Sequence, residues 1–375
     1  MKILFTGGGS GGHFYPILSV ANEVQKLAKE NRLLAPELYY VSDSPYNEGL
    51  LYDNNIVYRK NAAGKRRVYF SIRNFFDIFK TGWGIVTAFW TVFSIYPDVV
   101  FSKGGYPSFP IVIAARFFRI PIVIHESDSV PGRANTFAGT FATKIAVSFQ
   151  EAAKFFPAEK VAVTGNPIRE QIMQPITDGA HDALGLDSSV PTILVLGGSL
   201  GAQIINNIIT DTLSQLIENY QVIHQVGKNN YEEVVERVDA VIYKSMYRNR
   251  YKPFDYLTEL QMRQAAGAAD IIISRAGSAI FEIASWGKPS ILIPITVSNG
   301  DHQRKNAYAY ARTKAAVVIE EANLTSNILI SEINRIINSR EEKEKMSKAA
   351  KDFFKPDAAR IIAKELLAIS LRHEK

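Results

Sequence analysis

The sequence predicts an α/β protein made of two domains, each a doubly wound parallel sheet. Short apolar runs rich in β-branched residues alternate with helical patterns along the chain, which is typical of parallel sheets covered on both faces. The alternation starts twice, and each start carries a glycine-rich loop between strand and helix. The chain of 375 residues is also long for one core at roughly 150 residues per domain. We therefore expect two Rossmann-like domains facing a central cleft, with ligands at the carboxyl ends of the strands.

The strands follow in order along both halves. Six are predicted in the first half, at KILFT, ELYYVS, DVVFSK, PIVIHES, KIAVSF and KVAVTG, and four in the second, at TILVLGG, YQVIHQVG, DIIISRAG and SILIPI. A stretch rich in Pro, Gly and Asp begins at Thr164 and separates the two sets. We predict an N-terminal domain over residues 1–165, completed by a last helix over 356–375, and a C-terminal domain over 166–355.

Composition excludes several kinds of site. There are no cysteines, which excludes disulfides, thiolate metal sites and cysteine nucleophiles. The N-terminus enters a strand directly, with no basic region or cleavage pattern of a secretory signal. The longest apolar stretch, Gly82 to Tyr96, is shorter than the ~20 residues a membrane-spanning helix needs, so no such helix is predicted.

The first glycine loop, GGGSGGH at residues 7–13, predicts an anion site. Gly7, Gly9 and Gly12 satisfy G-x-G-x-x-G between a strand and a helix, where free N–H groups and the helix dipole favour phosphate. A tight turn needs fewer than the five glycines present. A dinucleotide site is the other reading, but Asp43 lies 31 residues past Gly12, where about 20 is typical.

Two more loops of this kind follow later strands. Gly104, Gly105 and Tyr106 follow DVVFSK, and GGSLGA spans residues 197–202. Three such loops favour two phosphorylated ligands over one.

Polar residues follow the later strands of the second half. Glu282 lies near the start of the helix after SRAGS, where it either complements the helix dipole or accepts hydrogen bonds from a sugar diol. Asp301, His302, Gln303 and Asn306 form a cluster that suits sugar hydroxyls, and a solvated surface loop is the alternative. His13 at the first loop is either a capping or core residue or a general base, and the latter is considered because histidine titrates near neutral pH.

Residues 64–83 combine basic and aromatic side chains. Seven basic residues against one acid lie between Arg59 and Lys80, which equals the net charge of +6 for the whole chain. Nucleic acid is one possible ligand, although no recognised binding motif is present. Contact with an anionic membrane surface fits better, since aromatics enter the headgroup boundary while basic residues attract lipid. A buried helix with a solvated basic edge is the third reading.

The motifs together resemble those of one family. GGGSGGHFYP, SKGGYPSFP, IHESDSVPGRAN, VTGNPIR, LGGSLGAQIIN, SRAGSAIFE and GDHQRKNA occur in this order between Lys2 and about Asn323. The chain is thus similar to the MurG family of peptidoglycan N-acetylglucosaminyltransferases, in glycosyltransferase family 28. The resemblance implies a GT-B fold and inverting transfer of GlcNAc from UDP-GlcNAc to the C4 hydroxyl of lipid I, which gives lipid II. It also implies a peripheral protein at the cytoplasmic face of the cell membrane, with no cofactor, no metal ion and no nucleic-acid partner.

The resemblance also implies the site residues. His13 matches the histidine considered as the base, and the loop of Gly104, Gly105 and Tyr106 would bind the acceptor diphosphate together with the first glycine loop. The other implied substrate contacts are Ser10, Gly11, Gly12, Asp128, Arg169, Ser199, Gly277, Ser278, Glu282 and Gln303. Glu282 would hold the nucleotide ribose, and Gln303 the GlcNAc hydroxyls. Segment 64–83 occupies the place of the membrane-docking patch.

The chain departs from the family pattern at two places. The family usually has Asn where this sequence has Asp128, and it commonly has one more residue between Gly277 and Glu282. A carboxylate at 128 can accept a hydrogen bond but cannot donate one. Glu126 and Asp128 are too few acids to predict a magnesium site.

Three alternatives remain open at this point. The chain could be another GT-B enzyme of nucleotide sugars, either a glycolipid transferase that uses diacylglycerol or a UDP-GlcNAc epimerase. It could also be an inactive scaffold docked at the membrane beside other cell-wall enzymes.

Overall fold

The structure is a computed structural model that describes residues 1–64, 73–198, 201–296 and 299–373. The chain divides into two compact units. Unit 1 consists of Met1–Arg169 and Lys355–Lys375, and unit 2 of Glu170–Phe354. The chain thus first passes from unit 1 to unit 2 after Arg169, four residues beyond the predicted boundary at residue 165.

Unit 1 is built on a seven-stranded parallel sheet with the strand order β3-β2-β1-β4-β5-β6-β7. Its strands are β1 (Lys2–Thr6), β2 (Glu37–Ser42), β3 (Ile56–Lys60), β4 (Val99–Ser102), β5 (Ile122–Glu126), β6 (Lys144–Val147) and β7 (Val161–Val163). Its helices are α1 (Gly11–Glu30), α2 (Glu48–Asp53), α3 (Arg73–Ile95), α4 (Ser108–Phe117), α5 (Arg133–Gly139), α6 (Gln150–Ala153) and α15 (Ala358–His373).

Both faces of this sheet are covered, which explains the continuous apolar runs. β4 and β5 are buried at every position. Helix α1 buries Ile17, Val20, Val24 and Leu27, a helical spacing that turns one apolar face to the sheet. The C-terminal helix α15 packs on α1, so the end of the chain belongs to unit 1.

Unit 2 repeats the plan with six parallel strands in the order β10-β9-β8-β11-β12-β13. The strands are β8 (Thr192–Leu196), β9 (Gln221–Gln225), β10 (Tyr251–Phe254), β11 (Ile271–Ser274), β12 (Ser290–Leu292) and β13 (Ala316–Val318). The helices are α7 (Ala180–Ala183), α8 (Gln203–Asn219), α9 (Tyr231–Ile242), α10 (Glu259–Ala268), α11 (Ala279–Trp286), α12 (His302–Ala311), α13 (Ser326–Ile337) and α14 (Arg340–Phe353).

The predicted fold class of two doubly wound parallel sheets is confirmed. Three strands were not predicted from the sequence, β3, β10 and β13, and all three lie at sheet edges. Edge strands have one neighbour and are less buried, so their sequences are less apolar. IVYRK of β3 and YKPF of β10 carry charged residues and a proline that obscure a strand pattern.

Each sheet has one place where the strand order reverses direction. In unit 1 this lies between β1 and β4, and in unit 2 between β8 and β11. At such a switch point the loops leaving two neighbouring strands diverge and open a crevice, where ligands of these folds bind. All the glycine loops singled out in the sequence leave one of these four strands.

Candidate functional site

The first glycine loop joins β1 to the start of α1 and lies close against the body of unit 1. A side chain at Gly7 would come within 2.8 Å of the Ile17 Cδ1, and one at Gly8 within 3.1 Å of the His13 ring. Ser10 has the extended backbone of a helix N-cap, with φ −122° and ψ 156°. Its hydroxyl oxygen lies 2.9 Å from the Nδ1 of His13, which orients the imidazole.

The second loop of unit 1 reaches the first one. Gly104 and Gly105 have φ angles of +81° and +83°, which only glycine adopts readily. A Cβ atom on Gly105 would lie 2.9 Å from the Cα of Gly8 and 3.6 Å from the Nε2 of His13. The two glycine loops therefore touch at the switch point, and His13 lies beside their contact.

Tyr106 ties this second loop to a third strand. Its hydroxyl donates a hydrogen bond to Asp43, which follows β2. Asp43, the acid considered for the ribose of a dinucleotide, is thus hydrogen-bonded to the loop after β4.

His13 is half-buried, and its environment favours the neutral ring. Burial, followed by the nearby Lys103 ammonium, lowers the pKa of His13 to about 4, while Asp128 acts in the opposite direction. The ordinary pKa near 6.5, on which the general-base expectation rested, does not apply in this environment. At neutral pH the imidazole is uncharged and can accept a proton.

A buried carboxylate organises the loop that carries Asp128. Glu126, at the end of β5, accepts hydrogen bonds from the backbone N–H groups of Asp128 (2.9 Å) and Gly132 (3.0 Å) and from the side chain of Asn135 (2.9 Å). Burial raises the pKa of Glu126, and the neighbouring Asp128 adds to this effect. These three bonds set the backbone path past Asp128.

Arg169 lies on an aromatic ring of the first helix. Its guanidinium carbon is 4.1 Å from the ring centroid of Tyr15, a close cation–π contact. The Tyr15 ring also borders Gly11, since a side chain there would come within 3.3 Å of it. The arrangement holds a positive charge near the α1 N-terminus.

The switch point of unit 2 presents the other predicted loops. Gly201 has φ +78°, and a Cβ atom there would lie 2.2 Å from the carbonyl oxygen of Val226, so only glycine fits. Ser199 lies outside the described residues. At Gly277, on the other side of the switch point, a Cβ atom would meet no described atom within 4 Å, so this backbone faces open space.

Helix α11 carries two of the predicted residues at its start. Ser278 is its N-cap residue and is exposed, and Glu282 is half-buried in the first turn. Gln303 lies in the first turn of α12 and accepts a hydrogen bond from the N–H of Ile295 (3.3 Å) through its amide oxygen. These residues follow β11 and β12, which are neighbours in the sheet.

An ion pair beneath these loops was not foreseen from the sequence. Arg275 lies 2.7 Å from Glu321, and their side chains are only 13% and 12% exposed. Arg275 also donates to the carbonyl oxygen of Ile293, and Glu321 accepts from the backbone N–H and the hydroxyl of Thr296. Arg275 stands in SRAGS, and its partner 46 residues later carries no motif, so no local signal could have paired them.

Comparison with known proteins identifies the family. The models of the N-terminal and C-terminal domains of glycosyltransferase family 28 match residues 3–147 and 192–362. The chain belongs to glycosyltransferase family 28. A Bacillus thuringiensis relative is 37% identical over 343 residues, which cover 91% of this chain and 92% of that protein. It is named a UDP-N-acetylglucosamine–N-acetylmuramyl-(pentapeptide) pyrophosphoryl-undecaprenol N-acetylglucosamine transferase.

Solved structures agree with this glycosyltransferase fold. MurG of Acinetobacter baumannii superposes with a TM-score of 0.74 at 25% identity, covering 98% of this chain and 99% of that one. A UDP-GlcNAc 2-epimerase of Neisseria meningitidis superposes with a TM-score of 0.70 at 16% identity, covering 98% and 100%. The second likeness extends to the fold alone. The expected GT-B architecture is therefore confirmed.

The family 28 glycosyltransferase carries an exposed aromatic surface on α3. Large side chains recur there at spacings of three or four residues, at Phe79, Trp83, Val86, Trp90 and Phe93. The neighbouring helix α4 adds Phe117, which is 68% exposed and contacts Phe89 of α3 edge to face. We call these residues the α3 row. Of the basic aromatic segment 64–83, residues 65–72 lie outside the described part of the chain.

Two kinds of feature are absent from the described residues. No group of three or more His, Asp or Glu side chains there is arranged to hold a metal ion. No helix within those ranges is long and apolar enough to cross a membrane.

Proposed function

We propose that this glycosyltransferase moves GlcNAc from UDP-GlcNAc to the C4 hydroxyl of MurNAc-pentapeptide-pyrophosphoryl-undecaprenol, lipid I, and so makes lipid II with inversion at the anomeric carbon. The observation that carries this proposal is the relationship to transferases of this name over 91% of the chain. The geometry of unit 1 agrees with it, because two touching glycine loops and a neutral histidine suit an acceptor that brings both a diphosphate and a hydroxyl.

The acceptor occupies the switch point of unit 1 in this proposal. The N–H groups of the loops at Gly8 and at Gly104, Gly105 and Tyr106 bind its diphosphate. His13 accepts the hydroxyl proton as the hydroxyl oxygen attacks the anomeric carbon. Asp128, which is half-buried, accepts a hydrogen bond from a hydroxyl group of the acceptor.

The donor is held mainly by unit 2. Glu282 accepts from the ribose hydroxyls, Gln303 binds the GlcNAc hydroxyls, and the exposed backbone at Gly277 and Ser278 lets the nucleotide approach closely. Ser199 of the GGSLGA loop is a further proposed contact. In unit 1, Arg169 and the N-terminus of α1 at Ser10, Gly11 and Gly12 stabilise the charge that develops on the departing UDP.

The α3 row is proposed to dock the enzyme on the anionic cytoplasmic face of the cell membrane as a peripheral protein. Aromatic side chains enter the headgroup boundary, and the exposed Lys80, Arg116 and Arg119 beside them attract anionic lipid. Other cell-wall enzymes are proposed as partners at that surface. The row extends the predicted patch 64–83 along α3.

Vesicle sedimentation tests the docking surface. Replacing both Trp83 and Trp90 with Ser should release the enzyme from vesicles containing phosphatidylglycerol, because two exposed aromatic anchors are lost. The control is Tyr243→Ser, which removes an exposed aromatic side chain of unit 2. Trp286 is unsuitable as a control because it is buried. Unchanged sedimentation of the double variant would place membrane binding elsewhere.

The activity itself is tested with radiolabelled UDP-GlcNAc and a short-chain lipid I analogue. Acceptor-dependent formation of a labelled disaccharide lipid is the expected result. Release of UDP and formation of an epimerised sugar without acceptor would indicate the epimerase alternative. Binding of UDP-GlcNAc by folded protein without any transfer would indicate the scaffold. Transfer of GlcNAc to diacylglycerol instead of lipid I would indicate the glycolipid transferase.

A further inference from the structure

A buried lysine under the glycine loops has no role in the function proposed above. Lys103 follows β4, its backbone N–H donates to the carbonyl oxygen of Thr6 at the end of β1, and its side chain is only 2% exposed. Within the described part of the chain, its ammonium nitrogen has no hydrogen-bond partner. Burying a cation without such partners is costly, so a lysine here requires an explanation.

Lys103 lies among charged groups from several loops. Glu126 and Asp128, from the end of β5 and the loop after it, are near enough to stabilise its charged form, although burial lowers the pKa of Lys103 to about 8. The ammonium is therefore charged at neutral pH. Glu126 is held by Asp128 N–H, Gly132 N–H and Asn135 rather than by Lys103.

The same ammonium acts on His13. A Cβ atom built on Gly7 would lie 3.2 Å from the Cβ of Lys103 and 3.7 Å from the Cβ of His13, so both side chains begin beside Gly7. Lys103 opposes protonation of His13, and Asp128 favours it.

The other charged groups around the glycine loops are engaged with partners. Asp43, which follows β2, accepts from Tyr106, and Arg169 lies on Tyr15. The first turn of α1 contributes no acidic side chain. Lys103 and Asp128 are therefore the opposing charges that act directly on the His13 ring.

Substrate binding changes this balance. Both substrates of the proposed reaction carry a diphosphate, and negative charge close to an imidazole favours its protonated form. A protonated His13 cannot accept the hydroxyl proton. A fixed positive charge beneath the loops counteracts this effect while leaving the N–H groups of the loops available to the phosphates.

We propose that Lys103 is a positioning residue that offsets the negative charge of bound diphosphates and so keeps His13 neutral in the substrate complex. This inference rests on the proposed function. As the acceptor oxygen bonds to the anomeric carbon, its proton passes to the Nε2 of His13. The bond from that carbon to the β-phosphate oxygen breaks, and its electron pair leaves with UDP. This step uses the tautomer of His13 in which Nδ1 carries the proton, and Nδ1 lies 2.9 Å from the hydroxyl oxygen of Ser10.

The first test compares pH profiles of Lys103→Met with the wild type. The profile of kcat reports the substrate complex, and that of kcat/KM reports the free enzyme. We expect the acidic limbs of both kcat and kcat/KM to move up by about one to two pH units in Lys103→Met, because the ammonium opposes protonation of His13 in the free enzyme as well as in the substrate complex. Lys103→Arg, which keeps the charge, should retain the wild-type limb. An acidic limb of kcat that stays in place in Lys103→Met, or that moves by the same amount in Lys103→Arg, would overturn the proposal.

The second test observes His13 directly and does not depend on turnover. Nuclear magnetic resonance of histidine-labelled protein, with His13 assigned through His13→Gln, follows ring protonation as UDP is added at pH 6. We expect His13 to stay neutral in the wild type and to become protonated with UDP in Lys103→Met. Identical behaviour of the two proteins would refute the inference.

Asp128→Asn supplies an independent variant should Lys103→Met fail to fold. Removing the opposing charge should move the acidic limb of kcat down rather than up. A limb that moves up in Asp128→Asn contradicts the proposal. A wild-type enzyme that makes no lipid product would instead defeat the proposed transferase, and the UDP titration would still decide the role of Lys103.

Discussion

The two switch points of this protein have the same topology and different chemistry. Each lies where a doubly wound sheet reverses its strand order, and each is bordered by two glycine-containing loops. In unit 1 the loops surround ionisable groups whose pKa values are displaced, at His13, Lys103 and Glu126. In unit 2 the charged groups beneath the loops, Arg275 and Glu321, are already paired with each other.

In the proposed reaction, this difference assigns proton transfer to unit 1 and recognition of the donor hydroxyls to unit 2. A site that moves a proton needs groups poised between two protonation states, and burial next to opposing charges provides them. A site that recognises hydroxyls needs a rigid frame with hydrogen-bonding groups at its surface, such as Glu282 and Gln303. The fold supplies the place for a ligand in both units, while the loop residues decide what happens there.

Replacing His13 tests the chemical role of unit 1 and has the largest expected effect. His13→Ala should lower kcat by about 10²- to 10⁴-fold, the usual contribution of a general base, with UDP-GlcNAc affinity little changed. Steady-state kinetics and calorimetric titration with UDP-GlcNAc measure the two quantities. His181→Ala, in the short helix α7 of unit 2, is the matched control. If turnover and UDP-GlcNAc affinity fell equally, His13 would not be the base.

Breaking the ion pair tests the structural frame of unit 2. Arg275→Met leaves Glu321 largely buried without its cation and should lower the free energy of unfolding by about 3 kcal/mol. Arg340→Met is the control, because its pair with Glu344 is exposed and should contribute less than about 1 kcal/mol. Urea denaturation compares them. An equal decrease in the free energy of unfolding in the two variants would mean that the buried Arg275–Glu321 pair contributes no more to stability than the exposed pair.

The same pair predicts a pH dependence. Burial raises the pKa of Glu321, but the hydrogen bonds from Thr296 and Arg275 outweigh it, so that this pKa is lowered in the folded state. The resulting stabilisation is present above the unfolded pKa of about 4.5 and is lost as the pH falls through the folded value. The stability difference between wild type and Arg275→Met should therefore shrink toward low pH.

Replacing Glu282 tests recognition in unit 2 and has the smallest expected effect of the three substitutions. Glu282→Gln weakens charge-assisted hydrogen bonds to the ribose and should raise KM for UDP-GlcNAc about 30-fold, equivalent to about 2 kcal/mol, with kcat nearly unchanged. Steady-state kinetics with a saturating lipid acceptor measures both. A loss confined to kcat would place Glu282 in the chemical step, and the contrast between the two units would fail.

The inner strands and the glycine loops could be predicted because their signals are local. A fully buried strand such as β5 is a continuous apolar run in the sequence. The glycines of a loop such as GGGSGGH indicate a tightly packed loop backbone. The edge strands β3 and β10 lack that signal, because one neighbour and partial exposure permit charged residues. His13 and Glu282 could be singled out as candidate site residues because each lies within a short sequence motif of the family.

The sequence by itself determined the fold class, the glycine loops between strand and helix and the identity of the motif residues, since all of these depend on residues close together in the chain. Only the tertiary structure decided the electrostatics. Lys103, His13 and Asp128 come from three separate loops, and Arg275 meets Glu321 from a distant segment. A pKa depends on burial and on charges nearby in space, so it exists only once the sheets have brought these loops together.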